Sequence, residues 1–101
     1  MTDSRISQQD PQHFLVEGEL NMVTVPTLLQ AMASQFPPSG SEAHIDLAGV
    51  TRSDSAGLAL LIEWVAMAQK QNLTICFRNL PEQMWEIAKV SDLTEVIPLE
   101  K

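Results

Sequence analysis

The chain reads as an α/β domain, on three observations. Stretches of period-two alternation and stretches of helical periodicity follow one another along most of its length. Residues 44–70, HIDLAGVTRSDSAGLALLIEWVAMAQK, run from a short strand through a polar turn into a long apolar helix. At 101 residues, 45% of them hydrophobic, the chain can bury one modest core.

The stretch 44–70 organises the rest. Ile45 and Leu47 are the alternate inward residues of its strand. Residues 48–54 carry turn chemistry in Gly49, Thr51, Arg52, Ser53 and Asp54. Ser53, Asp54 or Ser55 caps the helix, because each side-chain oxygen can accept an unpaired first-turn amide. The helix is expected over about 56–70, with Leu58, Leu61, Ile62, Val65 and Ala68 on one core stripe. The opposite stripe is Ala56, Ala59, Leu60, Glu63, Ala66, Met67 and Lys70. With two charges only, that stripe reads as a face that another protein covers. The alternative is a helix buried on both sides within its own fold.

In chain order, residues 1–12 are polar and expected to fray. A strand is expected over 13–17, with Phe14 and Val16 inward, broken or bulged at Gly18 and continued over 19–22. Pro26 suits a helix start, and a helix over about 26–36 places Val25, Leu28, Leu29, Met32 and Phe36 at core spacing. Pro37-Pro38-Ser39-Gly40-Ser41 ends it. After a turn at Gln71-Asn72, a strand over 73–78 alternates Leu73, Ile75 and Phe77 against Thr74, Cys76 and Arg78. A third helix over about 81–90 turns Leu80, Met84, Ile87 and Ala88 inward, with Trp85 about 100° off that stripe. Trp85 is either an interface anchor or a cover for the domain's open edge. Leu93 packs back, and Val96-Ile97 is read as a short edge strand ended by Pro98. Residues 13–101 are thus expected to form a single domain.

Composition narrows the function. A net charge of −7 argues against a phosphate-tracking nucleic-acid binder and against electrostatic attachment to anionic lipid. It favours a partner with a basic patch. The single Cys76 forbids an internal disulfide and suits a reducing compartment. The first residues hold no apolar segment of secretory type, and no run is long enough to span a membrane.

Chemistry-bearing motifs are few. There is no phosphate-binding G-x-x-x-x-G-K-[ST] loop. His13 and His44 fall on separate strands without adjacent cysteine ligands, so no metal site is expected. Ser55 has no nearby histidine in the sequence, and Ser-Ala-Gly is not a nucleophile elbow. Cys76, in a strand, is read as a small core residue rather than a reactive thiol. Asp46 and Asp54 flank one loop but lack a third acidic ligand, so turn capping is the better reading. The chain is expected to be no enzyme and to need no cofactor.

Asp46-Leu47, Val50 and then Asp54-Ser55-Ala56-Gly57-Leu58 opening a helix resemble the STAS domain. That domain occurs in bacterial anti-anti-sigma factors, in transporter tails and in the small MlaB-type subunit of the Mla phospholipid-transport ABC complex. The resemblance runs over about 14–99, with DSAGLALL (54–61) and NLPEQMWEIAKVSDLTEVIPL (79–99) its most specific parts. The second part, together with 56–71, looks closest to the MlaB type. The resemblance implies an anti-anti-sigma-like fold, a small mixed sheet with helices largely on one face. It implies a cytoplasmic adaptor that binds the ATPase subunit of an ABC phospholipid transporter and sits at the inner membrane through it. The alternative it implies is an antagonist binding an anti-sigma kinase, with Ser55 the phosphoacceptor. The expected partner-binding residues are Asp54, Ser55, Ala56, Ala59, Leu60, Glu63, Met67 and Trp85. A homodimer is not predicted.

Overall fold

The computed structural model describes residues 4–99. The chain runs β1 (Arg5–Asp10), β2 (His13–Leu20), α1 (Val25–Ala33), β3 (Glu42–Ser53), α2 (Ser55–Lys70), β4 (Thr74–Arg78) and α3 (Glu82–Val90), then a 3-10 turn at Thr94–Val96. The four strands form one sheet in the order β1-β2-β3-β4. β1 and β2 are an antiparallel hairpin, whereas β2–β3 and β3–β4 are parallel and need the helical crossovers α1 and α2. This is the expected mixed sheet.

One face of the sheet is dry. Phe14, Val16 and Leu20 of β2, Ala43, Ile45 and Leu47 of β3, and Ile75 and Phe77 of β4 are all buried. The helices supply the other half of the core through Leu28 and Met32, then Leu58, Leu60, Leu61, Trp64 and Ala68, then Met84 and Ala88. The alternate strand residues His13, Leu15, Glu17, His44, Asp46, Cys76 and Arg78 are at least partly exposed and line the opposite face.

The N-terminal stretch expected to fray from residue 1 to 12 instead forms β1 over 5–10. Its residues are polar because it is an edge strand, but pairing satisfies its backbone, and Ile6 packs against the core. Residues 1–3 of that stretch lie outside the described residues. The Pro11-Gln12 turn closes on Asp10, whose carboxylate accepts from the Gln12 amide at 2.9 Å and pairs with His13 Nδ1 at 2.8 Å. The His13 bond, with the Gln12 amide behind it, holds the Asp10 carboxyl below its ordinary value.

Four further boundaries differ from expectation. β2 runs through Gly18, whose φ of 99° absorbs a register shift, and it stops at Leu20. β3 continues through the residues read as a turn, pairing Gly49, Val50, Arg52 and Ser53 with the end of β2. The C-terminal segment is a 3-10 turn, not a strand at Val96-Ile97, and its sheet contact is a single parallel bridge from Leu99 to Phe77. α1 is also shorter, ending at Ala33. α2 ends where Asn72 takes φ 58°, a conformation its short polar side chain tolerates.

The face of α2 is corrected. Leu60, placed above on the partner side, is 1% exposed and belongs to the core, with Trp64 at 0%. Ile62 and Val65, placed in the core stripe, are only half-buried. Averaged at 100° per residue, the buried stripe is turned by about 60° toward Leu60 and Trp64. The exposed ridge is Ser55, Ala59, Glu63, Ala66, Gln69 and Lys70. Cys76 is corrected too: it stands half-exposed on the face away from the helices, not among Ile75 and Phe77.

Candidate functional site

The ends of β2 and β3 bring two connections together. Leu20 pairs with Ser53, and the Asp54 amide donates to the Leu20 carbonyl at 3.2 Å. The turn from β2 into α1 is therefore held beside the start of α2. Within that turn Asn21 Oδ1 accepts from the amides of Val23 at 2.8 Å and Thr24 at 3.1 Å. Thr24 Oγ1 donates to the Glu19 carbonyl at 2.8 Å. So tied down, the turn presents Met22 and Val23, each 82% exposed. Two large apolar side chains at a rigid strand-to-helix turn have no role in this core.

The start of α2 is organised by Asp54. Its side chain accepts from the Ala56 amide at 2.8 Å, and its carbonyl takes the Gly57 amide at 3.0 Å. Ser53 is buried, and its amide donates to Gln83 Oε1 of α3 at 3.2 Å. Gly57 permits this convergence: a Cβ there would collide with Ser53 Oγ and stand 3.1 Å from Leu20 Cβ and 3.2 Å from Met84 Cε. Ser55 is the first helical residue and is exposed. The cap is thus Asp54, and the Ser55 hydroxyl is left facing solvent at the positive end of a sixteen-residue helix.

The expected partner-binding residues divide accordingly. Asp54, Ser55, Ala59 and Glu63 are exposed and share the start and outer ridge of α2. Ala56 and Met67 are half-buried, with Met67 packed partly against the core. Leu60 is lost to the core. Trp85 is half-buried on α3, two residues after Gln83. Met22 and Val23 were missed, although an apolar pair between a strand and Pro26 was visible in the sequence. Reading Met22 as strand concealed it.

Ser53 and Asp54, which precede Ser55, bond to Gln83 Oε1 and to the Ala56 amide. Among the described residues, no group of three His, Cys, Asp or Glu side chains could hold a metal ion. No helix among them is long and apolar enough to cross a membrane. The accessible features are a capped helix start with an exposed hydroxyl, a ridge of small residues, and two exposed apolar side chains beside them. Large exposed apolar side chains beside small residues are features that contact surfaces commonly share.

The family model described as "Mlab, STAS domain" matches residues 6–99. This chain belongs to the STAS domain family. Among curated relatives, the STAS domain is 25% identical over 97 residues to an anti-sigma-B factor antagonist of Listeria monocytogenes, covering 93% of this chain and 84% of that protein. It is 34% identical over 55 residues to the intermembrane phospholipid transport system binding protein MlaB of Escherichia coli, covering 54% of this chain and 57% of that protein. Among solved structures it resembles the anti-sigma factor antagonist SpoIIAA in its unphosphorylated form. The TM-score is 0.70 at 10% identity, covering 98% of this chain and 89% of that chain, and this likeness shows the fold. The STAS domain therefore stands between MlaB-like proteins and anti-sigma factor antagonists.

Proposed function

We propose that this STAS domain is a non-catalytic adaptor for an ABC phospholipid transporter. It binds the cytoplasmic ATPase subunit, stabilises or regulates it, and so serves the maintenance of outer-membrane lipid asymmetry. It is held at the inner membrane only through that partner. The observation that carries the reading is the exposed ridge Ser55, Ala59, Glu63 and Ala66 beside Met22 and Val23. Small residues let a partner backbone approach closely, while Met22 and Val23 supply apolar area. The match to the MlaB model over 6–99 and the higher identity to MlaB favour this partner class. A net charge of −7 favours a basic docking patch.

A second reading, a phosphorylation-switched antagonist of an anti-sigma kinase, is favoured by one feature. Ser55 is exposed at the first helical position, where a phosphate suits its own helix but burdens a docked partner with an unpaired charge. The antagonist relatives also cover more of the chain.

The test is co-purification with a candidate ABC-transporter ATPase subunit, using Ala59→Arg and Met22→Asp. Both positions are exposed, so the variants should melt like the parent yet lose the ATPase. Retention of the ATPase by both variants would remove the ridge as the docking face. If the parent chain ignores the ATPase and instead binds an anti-sigma kinase, with Ser55→Ala binding constitutively, the second reading holds.

A further inference from the structure

The open face of the sheet carries a second constellation, and parallel pairing creates it. The register sets His13 opposite His44 and His44 opposite Cys76, giving a row across three strands. Cys76 Sγ lies 3.1 Å from His44 Nδ1, and His44 Nε2 lies 2.9 Å from Glu42 Oε1. The His13 ring stacks on His44 with centroids 4.8 Å apart and planes 13° apart. Asp10 in turn holds His13. Next along the face, Asp46 pairs with Arg78 at 3.3 Å, and the two line a groove of about 410 Å³ with Asp10, His13 and His44.

The order carboxylate–imidazole–thiol has a chemical consequence. A carboxylate at Nε2 favours the tautomer with its proton there, which leaves Nδ1 as the acceptor facing the thiol. His44 is then placed to take the Cys76 proton, and Glu42 stabilises the imidazolium that results. A strand cysteine serving only as filler would belong on the dry face with Ile75 and Phe77. Cys76 is on the other face and half-exposed.

We infer that Cys76 is a thiol–disulfide exchange site, activated by His44 and Glu42, whose substrates are small disulfides. The thiol proton passes to His44, and the thiolate attacks one sulfur of the small disulfide. A Cys76–sulfur bond forms, the original sulfur–sulfur bond breaks, and the leaving thiolate takes the proton from His44. Cys76 is oxidised by one disulfide bond, and the departing sulfur is reduced to a thiol. Excess small thiol reverses the exchange, so the adduct reports the thiol poise of a reducing compartment. The site is on the opposite face from α2 and does not depend on which protein docks there.

Cys76 is the chain's single cysteine, so thiol signals are site-specific. The experiment follows ultraviolet thiolate absorbance against pH in the full chain, with Cys76→Ser as blank and the urea-unfolded chain as reference. The folded thiol should titrate about one pH unit or more below the unfolded one. His44→Gln should move the midpoint back up, and Glu42→Gln should do so less. With bis(2-hydroxyethyl) disulfide near neutral pH, intact mass should show one mixed disulfide, removed by excess dithiothreitol. Its rate should exceed that of the unfolded chain only about threefold, because a less basic thiolate is also a weaker nucleophile. A folded thiol that titrates at or above the unfolded one overturns the inference, as does a midpoint unmoved by His44→Gln. If His44→Gln does not fold, Glu42→Gln decides by the same criterion, since that side chain is 59% exposed.

Discussion

Leu60→Ala tests whether Leu60 belongs to the core of this domain. Leu60 is 1% exposed, so truncation removes three carbons from a dry environment, worth about 2.4 kcal/mol in transfer alone. The hole it leaves, beneath a helix pinned at its start by the Asp54 cap, adds a cavity term and brings the expected loss to about 3–4 kcal/mol. A domain of this size has about 5–15 kcal/mol of total stability, so the variant should fold but weakly. Melting should fall by about 12–32 °C, at roughly 4–8 °C per kcal/mol. Ala59→Arg, one residue earlier on the exposed ridge, should shift melting by less than about 4 °C. Thermal and urea melts followed by circular dichroism measure both. A Leu60→Ala melt within about 4 °C of the parent would return Leu60 to the surface and undo the packing of α2 derived above.

Three other outcomes follow from named contacts. Asp54→Ala should cost about 1 kcal/mol in a urea melt and Ser55→Ala almost nothing, because Asp54 alone of the two accepts a first-turn amide; the reverse order would move the cap to Ser55. Asp46 gains some cost from burial, which pushes its carboxyl up, but hydrogen bonds from Asn79 and the Ala48 amide and the charge of Arg78 outweigh it and hold the carboxyl below the ordinary 3.8. A depressed carboxyl stabilises the fold above its unfolded value and loses that contribution as pH falls through the folded one. Asp46→Asn should therefore be less stable than the parent near neutrality, with the gap closing below about pH 4; a gap constant with pH refutes the assignment. Trp64 is fully buried, and its indole N–H has no partner among the described residues. Trp64→Phe deletes that orphan donor and should cost under about 1.5 kcal/mol, against about 3–5 kcal/mol for Trp64→Ala; equal losses would show the N–H to be satisfied.

Much of the architecture was readable because strand alternation survives folding. Phe14 and Val16, Ile45 and Leu47, and Ile75 and Phe77 are inward as their spacing requires. α2 was harder, because apolar residues surround it and periodicity alone leaves its rotation loose. Placing Trp64, its bulkiest residue, at the centre of the stripe would have corrected the angle and claimed Leu60 for the core. β1 escaped notice because an edge strand can be polar and still pair, with one modest apolar residue, Ile6, to betray it. Asp54-Ser55 was readable as a helix start from capping chemistry, but the exposure of Met22 and Val23 depends on a turn held by Asn21 and Thr24. The Cys76–His44 contact was out of reach. Those residues are 32 positions apart, and only the β3–β4 register makes them neighbours.

The bridge from Leu99 to Phe77 has a consequence for synthesis. The Phe77 amide donates to the Pro98 carbonyl at 2.9 Å, so the far edge of β4 is closed at Phe77, through a single bridge, by a segment made about twenty residues later. While translation is between those points, β4 offers an open edge backed by Ile75 and Phe77, the kind of template on which nascent chains stick to one another. Ile97, 4% exposed in the finished fold, is the plug that arrives with the seal. Chains cut before Ile97 should accordingly aggregate more readily than the full chain.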